Sequence, residues 1–153
     1  MKNKIIKLLL LSLLFISCGK NDIISDLEHI KYVGDKDTKL AMCMLDSLSV
    51  EIKNNSTYCQ MKYELLKMRL QDKSNVVPVS NKMAEHLLQY FVDNGTQIEK
   101  QEAYYYAGSV YRDLQDVPRA LENFLNSVEI ATESNDCDSV MLRNTYSNLS
   151  YLF

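Results

Sequence analysis

Residues 101–134 read QEAYYYAGSVYRDLQDVPRALENFLNSVEIATES, and this stretch carries the clearest helical pattern in the chain. Its first half places residues at helical spacing on one face, namely Tyr104, Ala107, Gly108 and Tyr111. Its second half opens with Asp116, which can accept from the free amides of a first helical turn, and Pro118, whose missing N–H costs little there. The predicted inner face of this second helix consists of Ala120, Leu121, Phe124, Leu125 and Val128. Small residues at Gly108 and Ala120 would let the two helices approach closely, so the stretch predicts an antiparallel helical hairpin.

This spacing resembles a tetratricopeptide repeat, whose pattern is an aromatic residue, two residues, Leu-Gly, two residues, Tyr, then Ala, three residues, Phe and a closing Pro. Four positions match that pattern: Gly108, Tyr111, Ala120 and Phe124. Tyr104 stands where the pattern has its first aromatic residue, Ala107 replaces the Leu, and Thr132 replaces the Pro. The resemblance implies an all-α fold of antiparallel hairpins stacked in a right-handed α-α superhelix. The alternative interpretation is an ordinary helical hairpin from another kind of bundle.

Weaker copies of the same spacing occur on both sides of this stretch. The second-helix spacing recurs twice, at Ala41, Leu45 and Leu48 and at Ala84, Leu88 and Phe91. The first-helix spacing recurs at Tyr63, Leu66 and Leu70 and again at Tyr146, Leu149, Ser150 and Phe153. We therefore predict that residues 22–153 form one helical repeat domain of about three hairpins plus one unpaired helix. Residues 101–134 are its best repeat, and the last repeat is incomplete.

Turn and cap residues divide this domain into helices. A turn is predicted at 34–37, with Asp37 or Thr38 capping the helix whose apolar face includes Leu40. Capping boxes are predicted where Thr57 precedes Gln60 and where Thr96 precedes Glu99. The Asn94-Gly95 pair predicts a helix stop between them.

The final predicted helix lacks the polar outer face that usually closes a helical repeat array. Its side chains include four large apolar or aromatic residues, Tyr146, Leu149, Tyr151 and Phe153. We therefore hypothesise that the chain is the beginning of a longer repeat protein.

The N-terminus predicts export. Three lysines precede an apolar run that ends at Ser17, and a positive start followed by a short apolar core is typical of a secretory signal, here residues 1–17. The run is well short of the roughly 20 residues that a helix needs to span a bilayer. The closing sequence LFISC resembles a bacterial lipobox, which implies a diacylglycerol thioether on Cys18 and a polar tether over residues 18–21. Gly19, rather than an acidic residue, favours the outer membrane over the inner one. The alternative is an ordinary signal with a chance cysteine.

Composition and motifs favour binding over catalysis. The chain has 17 basic and 20 acidic residues, and an acidic balance gives no field that would attract nucleic acid. The two histidines, His29 and His86, fall on different predicted hairpins without metal-like spacing, and no glycine loop for phosphate is present. We predict no enzyme activity, no metal and no cofactor. The remaining cysteines could form one disulfide, but the sequence does not choose the pair among Cys43, Cys59 and Cys137.

The resemblance also implies a binding surface, because the first helices of tetratricopeptide hairpins line a concave groove for peptides or partner helices. The residues predicted to face that groove are Glu64, Met68, Gln71, Tyr105, Ser109 and Arg112. Neighbours on a helix point about 100° apart, so we place Tyr104 in the core, Tyr105 in the groove and Tyr106 against the next hairpin. The open alternative is that Tyr105 also packs between repeats. Such a groove suits an extended or helical peptide with apolar anchors.

Two functional hypotheses follow. The first is a lipid-anchored tetratricopeptide scaffold that mediates protein–protein interaction at the bacterial envelope and binds a protein or peptide ligand. The second is the N-terminal sensing part of a larger membrane-bound transcriptional regulator whose output region is absent. An apolar segment of about 20 residues and a basic region, encoded downstream, would distinguish the second from the first.

Overall fold

The structure is a computed structural model that describes residues 23–153. Within this range the protein is all-α, as predicted, with seven α-helices, one 3₁₀ turn at Ile52–Asn54 and no β-strand. The predicted signal peptide, Cys18 and the tether lie outside the described residues. The helices are α1 Ile23–Gly34, α2 Thr38–Ser47, α3 Thr57–Lys73, α4 Lys82–Asn94, α5 Gln97–Asp113, α6 Val117–Glu133 and α7 Ser139–Leu152.

The helices form a regular pattern of contacts. Helices α1, α3, α5 and α7 make a row in which each helix contacts the next. Helices α2, α4 and α6 each contact the two helices that flank them in the chain. The most extensive contact joins α5 to α6, which is the hairpin predicted from residues 101–134. Helix α5 is thus surrounded by α3, α4, α6 and α7, and this crowding positions the candidate site.

Close contact between α5 and α6 depends on Gly108. A Cβ atom added to Gly108 would lie 2.7, 2.8 and 3.0 Å from three ring carbons of Phe124, too near for any side chain larger than hydrogen. Phe124 and Ala120 are fully buried, as their predicted place on the inner face requires. Leu125, predicted on the same face, is instead 53% exposed. Ser127, on the same helix, is fully buried, and its hydroxyl donates to the backbone carbonyl of Gln101 at 3.1 Å.

Several predicted helix ends are present. Thr96 and Glu99 form the predicted capping box of α5. The Asp116 carboxylate accepts from the Arg119 amide at 3.3 Å at the start of α6. Asp37 accepts from the Leu40 amide at 2.9 Å at the start of α2. Helix α4 ends at Asn94, as predicted. These ends depend on residues three or four positions apart, which is why the sequence reveals them.

One predicted cap is wrong. Ser56, not Thr57, caps α3, and its hydroxyl accepts from the Cys59 amide at 3.3 Å. Gln60, the predicted partner of Thr57, instead donates to the carbonyls of Lys53 and Asn55, at 3.2 and 3.0 Å. The 3₁₀ turn before α3 brings those carbonyls within reach of the Gln60 amide.

Burial of the tyrosines differs from the prediction. Tyr105 is 7% exposed, with its ring centroid 5.8 Å from that of Phe124, so it belongs to the core rather than to an open groove. Tyr104, predicted in the core, is only half-buried. Tyr106 is buried, in edge contact with Tyr105. This burial favours the alternative interpretation, in which Tyr105 also packs between repeats. Leu40, predicted on the apolar face of α2, is also half exposed.

Two surface features complete the fold. No helix among the described residues is both long and apolar enough to cross a membrane. On the last helix, Tyr146 and Tyr151 are exposed, and Phe153 after it is 91% exposed.

Candidate interaction grooves

Two depressions lie side by side along the row of helices. The first, which we name the valine groove, has a volume of about 360 Å³ and lies between α3, α5 and the connection from α3 to α4. The second, the polar groove, has a volume of about 510 Å³ and extends from α3 and α5 to the start of α7. Asp72 and Tyr106 line both, so the two grooves share a wall.

The outer wall of the valine groove is the segment 76–80, Val-Val-Pro-Val-Ser. Asn75 turns the chain out of α3 with a φ of 54°, a left-handed conformation that asparagine tolerates better than most residues. The Val76 amide donates back to the Gln71 carbonyl at 3.0 Å. Pro78 then disfavours a helical conformation of Val77, the residue before it. The result is an apolar strap that stands beside α3 instead of packing into the core.

Ion pairs occupy the junction between the grooves. Arg112 contacts Asp72 at 3.2 Å and Asp113 at 2.8 Å. Arg112 also donates to Asn148, whose amide donates to the Tyr105 hydroxyl at 3.3 Å. Burial raises the pKa of Asp72 and the Asp113 charge adds to that effect, while Arg112 opposes it. Arg112 is therefore held by partners within the protein, and its charge is already balanced.

A second group of ion pairs extends inward from the polar groove, which Asp35, Arg69 and Lys73 line. Arg69 is 8% exposed and contacts Asp35 at 2.8 Å and Glu102 at 3.5 Å. Lys31 contacts Glu102 at 2.7 Å, and Lys73 contacts Asp35 at 2.5 Å. These pairs join the end of α1 to α3 and α5. A buried charge is stable only when it is paired, so they fix the relative positions of the three helices.

A third polar cluster lies at the other end of α3 and α5. The Tyr58 hydroxyl donates to Glu99 at 2.7 Å, and Lys62 lies 3.2 Å from Glu99 and 2.9 Å from Glu28. Burial and the hydrogen bond to Glu99 raise the pKa of Tyr58 to about 12. Burial alone would raise the pKa of Glu99, but the hydrogen bond from Tyr58, together with Thr96 and Lys62, lowers this pKa below its ordinary value. None of these residues lines either groove.

The residues predicted for a binding groove divide between the two depressions. Glu64, Met68, Gln71 and Ser109 line the valine groove, and Tyr105 lines the polar groove. Arg112 lies between them through its contact with Asp72. Ser109 and Tyr105 are buried and contribute to the floors rather than to an open rim.

Sequence reasoning missed the strap and the buried charges. The strap appears in the sequence only as a long connection with a proline, and its three valines in a stretch of four residues were the available signal. The sequence gives no indication that Arg69 pairs with Glu102, because these two residues are distant in the chain.

The histidines and cysteines of residues 23–153 are spread over different parts of the fold. No group of three or more His, Cys, Asp or Glu within residues 23–153 is arranged to hold a metal ion. His29 and His86 are exposed on α1 and α4. The three described cysteines are free: Cys43 is exposed, Cys59 is buried and Cys137 is half-buried. The grooves can bind a ligand through apolar contact, hydrogen bonds and charge.

Comparison of the chain with protein-family models, with curated proteins and with solved structures found no match. What the structure defines is the class: an all-α protein whose described helices present two adjoining grooves.

Proposed function

We propose that this protein is a lipid-anchored scaffold of tetratricopeptide-like hairpins that holds a protein or peptide partner at the bacterial envelope. The observation that carries the proposal is that the valine and polar grooves adjoin along α3, α5 and α7. A ligand lying across this row contacts successive helices in the manner of helix-lined peptide grooves. The protein then acts by binding a partner rather than by transforming a substrate.

The proposed stacking is a right-handed superhelix of hairpins. Its support is the row of α1, α3, α5 and α7, with α2, α4 and α6 between them in sequence. The close approach of α5 to α6 at Gly108 is the kind of contact that the small position of the repeat pattern provides.

Site-specific photo-crosslinking in the native envelope tests the binding proposal. A photoreactive residue is placed at Gln71 in the valine groove, at Asn144 in the polar groove, or at Leu125 as an exposed control on α6. We expect discrete adducts with one partner protein from the two groove positions and none from the control. Equal amounts of adduct at all three positions, or no adduct from either groove position, would refute the proposal.

Membrane fractionation tests the anchor. Cys18→Ala should move the protein from the outer-membrane fraction to the soluble fraction, because several acyl chains on one residue are needed for stable anchoring. Cys43→Ala is the matched control, since Cys43 is an exposed free thiol, and it should leave the protein in the membrane. Retention of the Cys18→Ala variant in the membrane would show that the lipobox was misread.

A further inference from the structure

The valine groove presents apolar side chains that no other part of residues 23–153 covers. Val77 is 66% exposed, Val79 is fully exposed, and Val76 and Met83 are nearly half exposed. Met68, Val110 and Tyr106 lie in the same groove on the sides of α3 and α5. A concave site lined mainly by apolar side chains, with a few polar groups among them, is the usual form of a ligand-binding site.

The strap also offers free backbone groups. The amides of Val77, Val79 and Ser80 make no hydrogen bond within the described part of the chain, and Pro78 has no amide hydrogen to offer. The segment belongs to neither helix. Backbone donors and acceptors in such a segment can pair with the main chain of an extended peptide, which supplies affinity, while side-chain pockets supply specificity.

The charges around the valine groove favour a basic ligand. Three carboxylates line it, from Glu64, Asp72 and Asp113, against one lysine, Lys67. Arg112 balances one of the carboxylates by its contacts with Asp72 and Asp113. The groove therefore keeps an excess of negative charge, and complementary charge on a partner both steers its encounter and excludes acidic competitors.

We propose that the valine groove binds an extended peptide segment in which aliphatic side chains alternate with lysine or arginine. The aliphatic side chains contact Val77, Val79 and Met68, and the basic side chains lie toward Asp113 and Glu64. The inference rests on the proposed scaffold function and specifies the chemistry of its partner. A second copy of this chain is a poorer occupant, because its own valine groove would bring like charges together.

Peptide binding to the full chain, purified in detergent, tests this proposal. The probe is the fluorescein-labelled peptide Val-Lys-Val-Lys-Val, followed by fluorescence anisotropy, and the matched probe replaces both lysines by glutamate. We expect the lysine peptide to bind at least about tenfold more tightly than the glutamate peptide. The difference should shrink as salt is added, because exposed charges are screened.

Two sets of variants locate the binding. Val77→Ser combined with Val79→Ser should weaken binding of the lysine peptide by about tenfold or more, since both side chains are exposed and contribute little to the fold. Val50→Ser is the control, because Val50 is 73% exposed and does not line the groove. Lys67→Gln should tighten binding of the lysine peptide, and Asp113→Asn should weaken it.

The outcomes separate this inference from the function on which it rests. Equal binding of both peptides, or an unchanged affinity in the double serine variant, overturns the inference. Self-association in analytical ultracentrifugation that is lost in the double serine variant also overturns it, because a second copy is then the occupant. If Gln71 crosslinks to a partner but the lysine peptide does not bind, the scaffold function stands and only the ligand chemistry is wrong.

Discussion

Replacement of Gly108 by alanine tests the central packing contact of the fold. Gly108 lies in the middle of α5, where alanine is the better helix former by about 1 kcal/mol. From helix propensity alone, Gly108→Ala would stabilise the protein. The structure predicts the opposite, because the new methyl group would lie 2.7 to 3.0 Å from three ring carbons of Phe124.

The magnitude follows from the place of Phe124. Its ring is fully buried and has no solvent space into which to move, so the helices must separate or the ring must leave its rotamer. Overpacking of a filled core costs roughly 1–3 kcal/mol. Because three ring atoms conflict at once, we take the upper part of this range and subtract the gain of about 1 kcal/mol in helix propensity. Gly108→Ala should therefore lower the free energy of unfolding by about 1–2 kcal/mol, a fall in Tm of about 2–8 °C.

Chemical denaturation followed by circular dichroism measures this change. Ser147→Ala, at an exposed position inside α7, is the control and should be neutral or slightly stabilising. Phe124→Leu frees space for the new methyl group, so the cost of Gly108→Ala should be smaller in that background, with a coupling of about 0.5–3 kcal/mol. An unchanged or increased stability of Gly108→Ala in the otherwise natural chain would refute the close packing of α5 on α6.

Two further predictions concern the ends of α3 and α5. Ser56→Ala should lower the free energy of unfolding by about 1 kcal/mol through loss of the cap, whereas Thr57→Ala should be nearly neutral; the reverse order in denaturation would restore the cap predicted from sequence. Because Tyr58 and Lys62 help to lower the pKa of Glu99 in the folded protein, ionised Glu99 contributes stability above its unfolded pKa, and this contribution is lost as the pH falls through the lower folded value. The difference in free energy of unfolding between the natural protein and Glu99→Gln should therefore narrow as the pH falls from neutral. Chemical denaturation at a series of pH values measures this difference. A difference that stays constant would contradict the lowered pKa of Glu99.

The hairpin of residues 101–134 illustrates how far local sequence carries. The caps at Thr96 and Asp116 and the contact of Gly108 with Phe124 follow from spacing within one hairpin. Such features depend on side-chain type and helical period over a few residues, and the sequence contains both. Glu64 and Gln71 line the valine groove, and the helical period places both beside the packing stripe of α3.

The tyrosines of α5 show where this reasoning stops. Helical period identifies the relative directions of Tyr104 and Tyr105, but it does not say which direction is covered. Tyr105 is buried because α5 has neighbours on several sides. Its hydroxyl accepts a hydrogen bond from the side-chain amide of Asn148 on α7, a residue far along the chain. Leu125 is exposed for the converse reason, because no helix within residues 23–153 covers that side of α6.

The helical class, most helix ends and the best hairpin are predictable from sequence, because these depend on interactions between residues close in the chain. The assembled helices are needed to show which tyrosine is buried, how Arg69 pairs with Asp35 and Glu102, and where the strap of residues 76–80 lies. Those features depend on contacts between residues more than 30 positions apart or on the absence of a covering element. The valine groove is therefore a property of the assembled helices and not of any one helix.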